Sequence, residues 1–269
     1  MDFEELSLSI SQAESYAKIY FGIEGSAKKL PGEVDFNFHL KDKSGIDYCL
    51  KISRPQTNKE KLDFQIQLVQ YLINKKFPYQ IPTPISNLDG SLIQKIKDDH
   101  QQERWIRLQK WVGGRMLNEV NPRTSTIYQN WGTLIGELSL ALDGFDHPAA
   151  HRFYKWNPDE TLWSKKYQDH IVGEEENKIA TYFWDLFEFT TLPKLSNLRK
   201  SVCYNDAHEH NILVDYDFKN PRISGLIDFG DALFTNTINE LAIACAYAGM
   251  YAPDPLRAIA EVVLSLIHI

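Results

Sequence analysis

The stretch that most constrains the chain runs from Cys203 to Asp231, CYNDAHEHNILVDYDFKNPRISGLIDFGD. Asp206 and Asn211 stand five residues apart across a short loop that leads into the apolar run Ile212 to Val214, which reads as a strand. A second apolar run, Ile223 to Ile227, comes after a turn containing Asp217, Asn220 and Pro221, and ends on Asp228. Pairing the two runs as a hairpin brings Asn211 and Asp228 to the same end. There an amide oxygen and a carboxylate can share a hard divalent cation, with Asp206 beside it.

D-x-x-x-x-N followed by I-D-F-G resembles the catalytic and metal-binding loops of the protein-kinase-like fold. NDAHEHNIL, residues 205 to 213, narrows this to the aminoglycoside phosphotransferase and choline kinase family, closest to the hydroxylysine kinase-like branch. The resemblance implies an α+β, two-lobed protein-kinase-like fold. Residues 1–110 would form an N-terminal nucleotide-binding lobe, an antiparallel sheet with one main helix. Residues 111–269 would form a mostly helical C-terminal catalytic lobe with the hairpin, lacking the family's last helices. It implies Asp206 as the catalytic residue that aligns the acceptor hydroxyl, and Asn211 and Asp228 as ligands of Mg²⁺ bridging the phosphates of ATP, with GTP as the alternative nucleotide. Asp231 is the candidate for the ammonium of a cationic acceptor. His208 matches a loop-bracing histidine, and Tyr204 stands where the family usually carries histidine.

In the N-terminal part, the S-x-x-E relation of Ser11 and Glu14 predicts a capped helix ending at Gly22. Strands are expected over Val34 to Leu40 and Asp47 to Ile52, joined by a turn at Asp42 to Gly45. GSAKKLPGEVDFNF resembles the nucleotide-covering loop and first strands of the hydroxylysine kinase-like branch, with Glu33, Asp35, Asn37 and Phe38 as its E-x-D-x-N-F element. Lys51 is a lone cation in the apolar strand YCLKIS, costly there unless paired with phosphate or carboxylate, or else snorkelling from an edge. The resemblance makes it the nucleotide-phosphate lysine, facing the metal site. A capping box at Thr57 and Glu60 starts the next helix. The position 14 residues after Lys51, where the fold supplies a carboxylate to orient it, is Gln65, whose amide would hold the ammonium instead. Leu92 to Ile96 and Trp105 to Trp111 read as strands, and RLQKWVGGRML resembles the hinge against the adenine ring. The resemblance offers the backbone groups of Gln109, Lys110 and Trp111 to the base.

Beyond Gly114 helical patterns dominate. Ile127, Trp131, Leu134, Ile135, Leu138 and Leu142 follow helical spacing, and Gly132 and Gly136, four apart, predict close packing against a neighbour. Asn157, Pro158 and Glu160 form a helix start. Glu174 to Phe189 predicts an amphipathic helix with Tyr182, Phe183 and Phe187 as a core face. Glu240 reads as half of a structural salt bridge.

The balance of the chain excludes several classes. A net charge of −7 argues against nucleic-acid or anionic-membrane partners and suits a cationic acceptor. No apolar run approaches the roughly 20 residues needed to span a bilayer. MDFEEL lacks the features of a signal peptide, and Cys49, Cys203 and Cys245 read as reduced core thiols, pointing to the cytoplasm. The resulting expectation is an ATP-dependent small-molecule kinase, phosphorylating an alcohol group of an amino alcohol or hydroxy amino acid. Hydroxylysine, homoserine, choline and aminoglycosides are the model acceptors. A catalytically impaired nucleotide-binding module is the alternative. A metal-dependent hydrolase, suggested by the H-x-H pair His208 and His210, is the third reading.

Overall fold

The computed structural model describes residues 8–32 and 34–266; the MDFEEL segment and Glu33 lie outside them. The chain divides into two compact units, residues up to 113 with 225–227, and 114–224 with 228 onward.

The first unit opens with helix α1, Ile10–Phe21, capped by Ser9 and Gln12 in a reciprocal capping box rather than by Ser11 and Glu14. Both pairs have the required spacing. The earlier start leaves the Glu14 carboxylate to accept the Ala27 N–H at 2.8 Å, tying the helix to the first strand. Gly22 closes α1 at φ 68°, a left-handed conformation that glycine adopts without penalty. Strands β1 (Gly25–Leu30), β2 (Phe36–Asp42) and β3 (Asp47–Ile52) come next, then helix α2 (Lys59–Asn74). The N-cap of α2 is Asn58, which accepts the Glu60 N–H, while the Thr57 hydroxyl donates to the Arg54 carbonyl at 2.7 Å; the expected Thr57 box is not formed. Strands β4 (Pro84–Ile85), β5 (Gln94–Lys97) and β6 (Glu103–Lys110) complete an antiparallel sheet of order β1-β2-β3-β6-β4, with β5 also on β6.

One face of this sheet is apolar. Phe36, Phe38, Leu40, Leu50, Ile52, Ile106 and Leu108 pack with Ala13, Tyr16, Ala17 and Phe21 of α1 into a single cluster. The period-2 alternation puts Asn37, Lys51 and Arg107 on the opposite face. At its end the sheet is pinned by Arg104, which donates to Asp98 at 2.6 Å and to the Ser53 carbonyl at 3.3 Å, with both ionic side chains almost wholly buried.

The second unit carries β7 (Arg115–Met116), helix α3 (Ser125–Ala141), a 3₁₀ segment over Pro158–His170, helices α4 (Glu174–Leu186) and α5 (Leu192–Leu195), strands β8 (Lys200–Cys203), β9 (Ile212–Val214) and β11 (Leu233–Asn236), helices α6 (Ile238–Met250) and α7 (Pro255–Ser265), and the first half of β10 (Ile223–Leu226), whose last residues are counted with the first unit. The hairpin expected from the two apolar runs is present: the Asp215 N–H donates to the Arg222 carbonyl at 2.9 Å, and the strands stand in the order β10-β9-β7. Strands β8 and β11 pair separately. Among the described residues no helix is long and apolar enough to cross a membrane.

Two expectations fail here. The Asn157 start is real, its side chain accepting the Asp159 N–H, but the segment it caps is 3₁₀ rather than α-helix. Tyr182 and Phe183 on α4 are 62% and 59% exposed instead of forming core. The packed side of α4 is its polar one. Gln168 donates to Asn177 and Thr181, Lys165 bridges Asp185 and Glu188, and the one buried ring, Trp184, donates to the Ser164 hydroxyl. Amphipathicity located an apolar stripe but not the side that the neighbouring segment covers.

The close packing expected of Gly132 is met against α7. A Cβ added there would lie 2.1 Å from the Val262 carbonyl oxygen and 2.0 Å from the Ser265 hydroxyl. Alanine is the better helix former by roughly 1 kcal/mol, but overpacking at such a contact costs typically about 1–3 kcal/mol. Gly132→Ala is therefore expected to lower the melting temperature, and an unchanged or higher one would show that α3 and α7 separate freely.

Candidate active site

The loop from Tyr204 to Asn211 joins β8 to β9 and is stitched down at successive residues. Tyr204 is wholly buried, its ring edge-on to Phe229 at 5.1 Å. Asn205 sits at φ 63°, a left-handed conformation that asparagine tolerates better than most residues. Its N–H donates to the Glu240 carboxylate at 3.0 Å, and the Tyr204 N–H donates to the same group. The Ala207 carbonyl accepts the Trp131 indole N–H at 3.2 Å, and the Glu209 carbonyl accepts the Asn118 N–H at 3.1 Å.

Within this frame Asp206 and Asn211 meet. The Asn211 amide nitrogen donates to the Asp206 carboxylate at 2.6 Å and to its carbonyl at 3.2 Å. With the nitrogen so committed, the Asn211 oxygen is the atom left for another partner. Asp228, at φ 58°, accepts the Gly230 N–H at 3.0 Å. Asp231 accepts the Tyr154 hydroxyl at 2.5 Å, with the Arg152 guanidinium close enough to feel its charge. Burial pushes the Tyr154 hydroxyl well up, helped by Asp231 and by the charge of Asp206. Burial likewise raises Tyr204, with Asp206, Asp228, Glu240 and Asp231 adding to it, so these four carboxyl groups share one neighbourhood.

His208 braces the loop. Its Nδ1 accepts the His210 N–H at 3.1 Å, and its Nε2 lies 3.2 Å from the Asn211 amide nitrogen and 3.5 Å from an Asp206 oxygen. Burial works against its charge, but the bond to Asp206 and the charges of Asp206, Glu209 and Asp228 outweigh it and hold His208 above its ordinary value. His208, Glu209 and His210 do bring ligand atoms within 4.8 Å of one another. Both ring nitrogens of His208 are already engaged, however, and the cluster makes a poor transition-metal site.

Among the described residues Glu240 forms no salt bridge. It accepts backbone N–H groups, and its second oxygen has no partner among the described residues. Burial, reinforced by Asp206, outweighs those hydrogen bonds and pushes it up to about 7. The N-terminal end of α6 is held by a polar network nearby: Asp159 accepts Thr235, Asn236 and Asn239, and Asn157 accepts Thr235 at 2.7 Å. Burial raises the Cys203 thiol; Cys203 is buried, Cys49 and Cys245 are partly so, and none of the three is in a disulfide.

The first unit holds the other predicted residues. Lys51 stands on β3 between Asn37 of β2 and Arg107 of β6. The Gln65 amide oxygen accepts the Arg107 guanidinium at 3.1 Å. The N–H groups of Lys110 and Trp111 are also committed, to the carbonyls of Thr83 and Asp47. The Trp111 ring lies 4.3 Å from that of His39.

Comparison with solved structures defines the class. The fold is protein-kinase-like, shared with an amicoumacin kinase solved with AMP-PNP and Ca²⁺ at a TM-score of 0.74, 15% identity, 99% of this chain and 80% of that one. A microcompartment-associated aminopropanol kinase gives 0.73 at 18% identity, over 97% of this chain and 81% of that one. A model described as the phosphotransferase enzyme family matches residues 26–262, and the chain belongs to that family. It is similar to hydroxylysine kinases of Mus musculus, 25% identical over 92% of this chain and 71% of the relative, and of Xenopus laevis, 27% identical over 94% and 72%.

The buried Glu240 carries a stability prediction. Its folded value, about 7, lies above its ordinary 4.5, so between these the native chain binds more protons than the unfolded one. Stability therefore falls as pH rises through that window, by on the order of a few kcal/mol. His208, raised as well, acts in the same direction. Glu240→Gln keeps an acceptor oxygen without the ionisation, and is expected to flatten the decline between about pH 5 and about pH 8; equal slopes would assign the decline elsewhere.

Proposed function

We propose that this protein transfers the γ-phosphoryl group of ATP to a hydroxyl of an amino alcohol or hydroxy amino acid. The acceptor is of the hydroxylysine, homoserine, choline or aminoglycoside kind, and GTP is the alternative donor. The observation that carries the reading is the bond from the Asn211 amide nitrogen to Asp206, which orders a carboxylate and leaves an amide oxygen. Residues 1–110 serve the nucleotide and 111–269 the acceptor chemistry. The location is the cytoplasm.

Asp206 accepts a hydrogen bond from the acceptor hydroxyl and takes its proton as that oxygen forms a bond to phosphorus and the bond from the γ-phosphorus to the bridging oxygen breaks. The carboxylate of Asp228 and the amide oxygen of Asn211 fit Mg²⁺, a hard ion that prefers oxygen donors. When bound, Mg²⁺ neutralises phosphate charge. His208 and Glu240 keep the loop in place. Lys51 contacts the nucleotide phosphates, and Asp231, shared with Tyr154, faces the acceptor's ammonium. The backbone groups of Gln109, Lys110 and Trp111 serve the base.

A screen of Mg²⁺-dependent phosphotransfer across hydroxylysine, homoserine, ethanolamine, choline and an aminoglycoside tests this reading. Asp206→Ala should lower turnover by about 10²–10⁴ while nucleotide binding survives. No phosphorylated product from any acceptor sinks the enzyme claim.

The specific observation favouring a non-catalytic nucleotide-binding module is the diversion of Gln65 to Arg107, alongside Tyr204 in the place of histidine. Nucleotide-induced thermal stabilisation without turnover would support it.

A further inference from the structure

The irregular segment from Arg152 to Trp156, between α3 and the 3₁₀ segment, touches both loops of the candidate site in the second unit. The Tyr154 hydroxyl donates to Asp231 at 2.5 Å, and the Trp156 carbonyl accepts the amide nitrogen of Asn205, the residue before Asp206, at 3.4 Å. Two residues of chain span at most roughly 7 Å. The segment thus ties the Asp231 side to the Asp206 side over a short reach, and the charge of Asp206 is felt at the Tyr154 hydroxyl. A phenol has one proton. With that proton given to Asp231, the Tyr154 oxygen meets any further partner as an acceptor. Tyr154 and Asp231, both only partly buried, therefore present two acceptor oxygens 2.5 Å apart, a pair that one ammonium with several N–H groups can bridge. The same segment disfavours the other way of holding an organic cation. A quaternary ammonium, which has no N–H, is held on aromatic faces. Here the Arg152 guanidinium already lies over the Tyr154 ring at 5.4 Å, and the Lys155 ammonium over the Trp156 ring at 5.1 Å. The carbonyls of Ala149 and Gly230 accept Arg152 at 3.0 and 3.5 Å and keep it there.

We propose that Tyr154 and Asp231 together select acceptors whose nitrogen carries N–H groups, so that the site takes primary amino alcohols and rejects quaternary ones. This rests on the reading of the protein as a kinase of small hydroxyl acceptors. Asp231 supplies the negative charge, and Tyr154 makes the site directional: its proton fixes the carboxylate, and its oxygen accepts a second N–H from the same ammonium. A trimethylated nitrogen would cover both oxygens without a donor for either, at the full cost of their desolvation. Ethanolamine, homoserine and hydroxylysine satisfy the pair, and choline does not. Tyr154 is accordingly a specificity-determining residue, while the hydroxyl chemistry stays with Asp206.

The test is kcat/KM of the full chain, with Mg²⁺ and ATP, for ethanolamine, its N-methyl and N,N-dimethyl derivatives and choline, which share one hydroxyl and differ in the number of N–H groups. Values should fall along the series, with choline at least about a hundredfold below ethanolamine. Tyr154→Phe keeps the ring beside Arg152 but loses the oxygen. It should raise KM for ethanolamine about tenfold, more than it lowers kcat, while choline, which offers the oxygen no N–H, loses nothing comparable and the series is compressed. Choline used as well as ethanolamine overturns the proposal. An equal loss for both acceptors in Tyr154→Phe, carried by kcat, would make Tyr154 a structural strap and overturn it too. If Tyr154→Phe fails to fold, the series on the wild-type chain decides alone. Turnover of hydroxylysine or an aminoglycoside with none of ethanolamine also counts against it. No product from any acceptor brings down the kinase reading and this inference together, whereas product with a flat series removes the inference alone.

Discussion

The Glu240 carboxylate is the constraint on which the Tyr204 to Asn211 loop depends. One buried oxygen-bearing group collects the N–H donors of Tyr204 and Asn205, which have no strand partner once β8 ends. That anchorage holds Asn205 in a left-handed conformation immediately before Asp206. Left-handed geometry in a non-glycine residue persists when surrounding contacts over-determine it, and here Trp131 and Asn118 secure the next carbonyls of the same loop. Asp228 stands in a second left-handed position, its carboxylate closing a turn on Gly230.

The loop gathers carboxyl groups against the usual electrostatic preference. Asp206, Asp228 and Asp231 lie near a fourth acid, Glu240, with Arg152 and His208 as the cationic groups in contact or in range. A buried imidazole at position 204 would be drawn towards its charged form by these neighbours, whereas the phenol of Tyr204 remains neutral and packs on Phe229. Burial and four acids act on Tyr204 in one sense, and the tyrosine is compatible with them because its neutral form is the favoured one.

Local signals in the chain proved dependable where the physics is local. The β3 span, the Gly22 stop and the 223–227 hairpin all follow from residues near one another in sequence. The errors arise where two partners satisfy the same rule or lie far apart. Ser9 and Ser11 both satisfy a capping pattern, and only the contact from Glu14 to Ala27 favours the earlier start. Gln65 accepts Arg107 of β6, a partner that the spacing from Lys51 does not reveal. Nothing in the spacing of RLQKWV reveals that Thr83 and Asp47 accept the N–H groups of Lys110 and Trp111. Glu240 lies more than 30 residues from the loop it holds, and its sequence neighbourhood shows an ordinary helix start. A buried acid in the first turn of an apolar helix was the signal that could have marked it.

By itself the sequence determined the hairpin that carries Asn211 and Asp228, the alternation that puts Lys51 on the polar face of its strand, and the family to which these motifs point. Those properties depend on side-chain period and on residues a few positions apart. Only the tertiary structure decided which partner each polar group takes: Asn211 for Asp206, Arg107 for Gln65 and Asp35, Glu240 for two backbone N–H groups, and the polar side of α4 rather than its aromatic stripe for packing. A buried donor or acceptor must be satisfied by whatever the fold brings within about 3 Å, and that choice is made by distant segments.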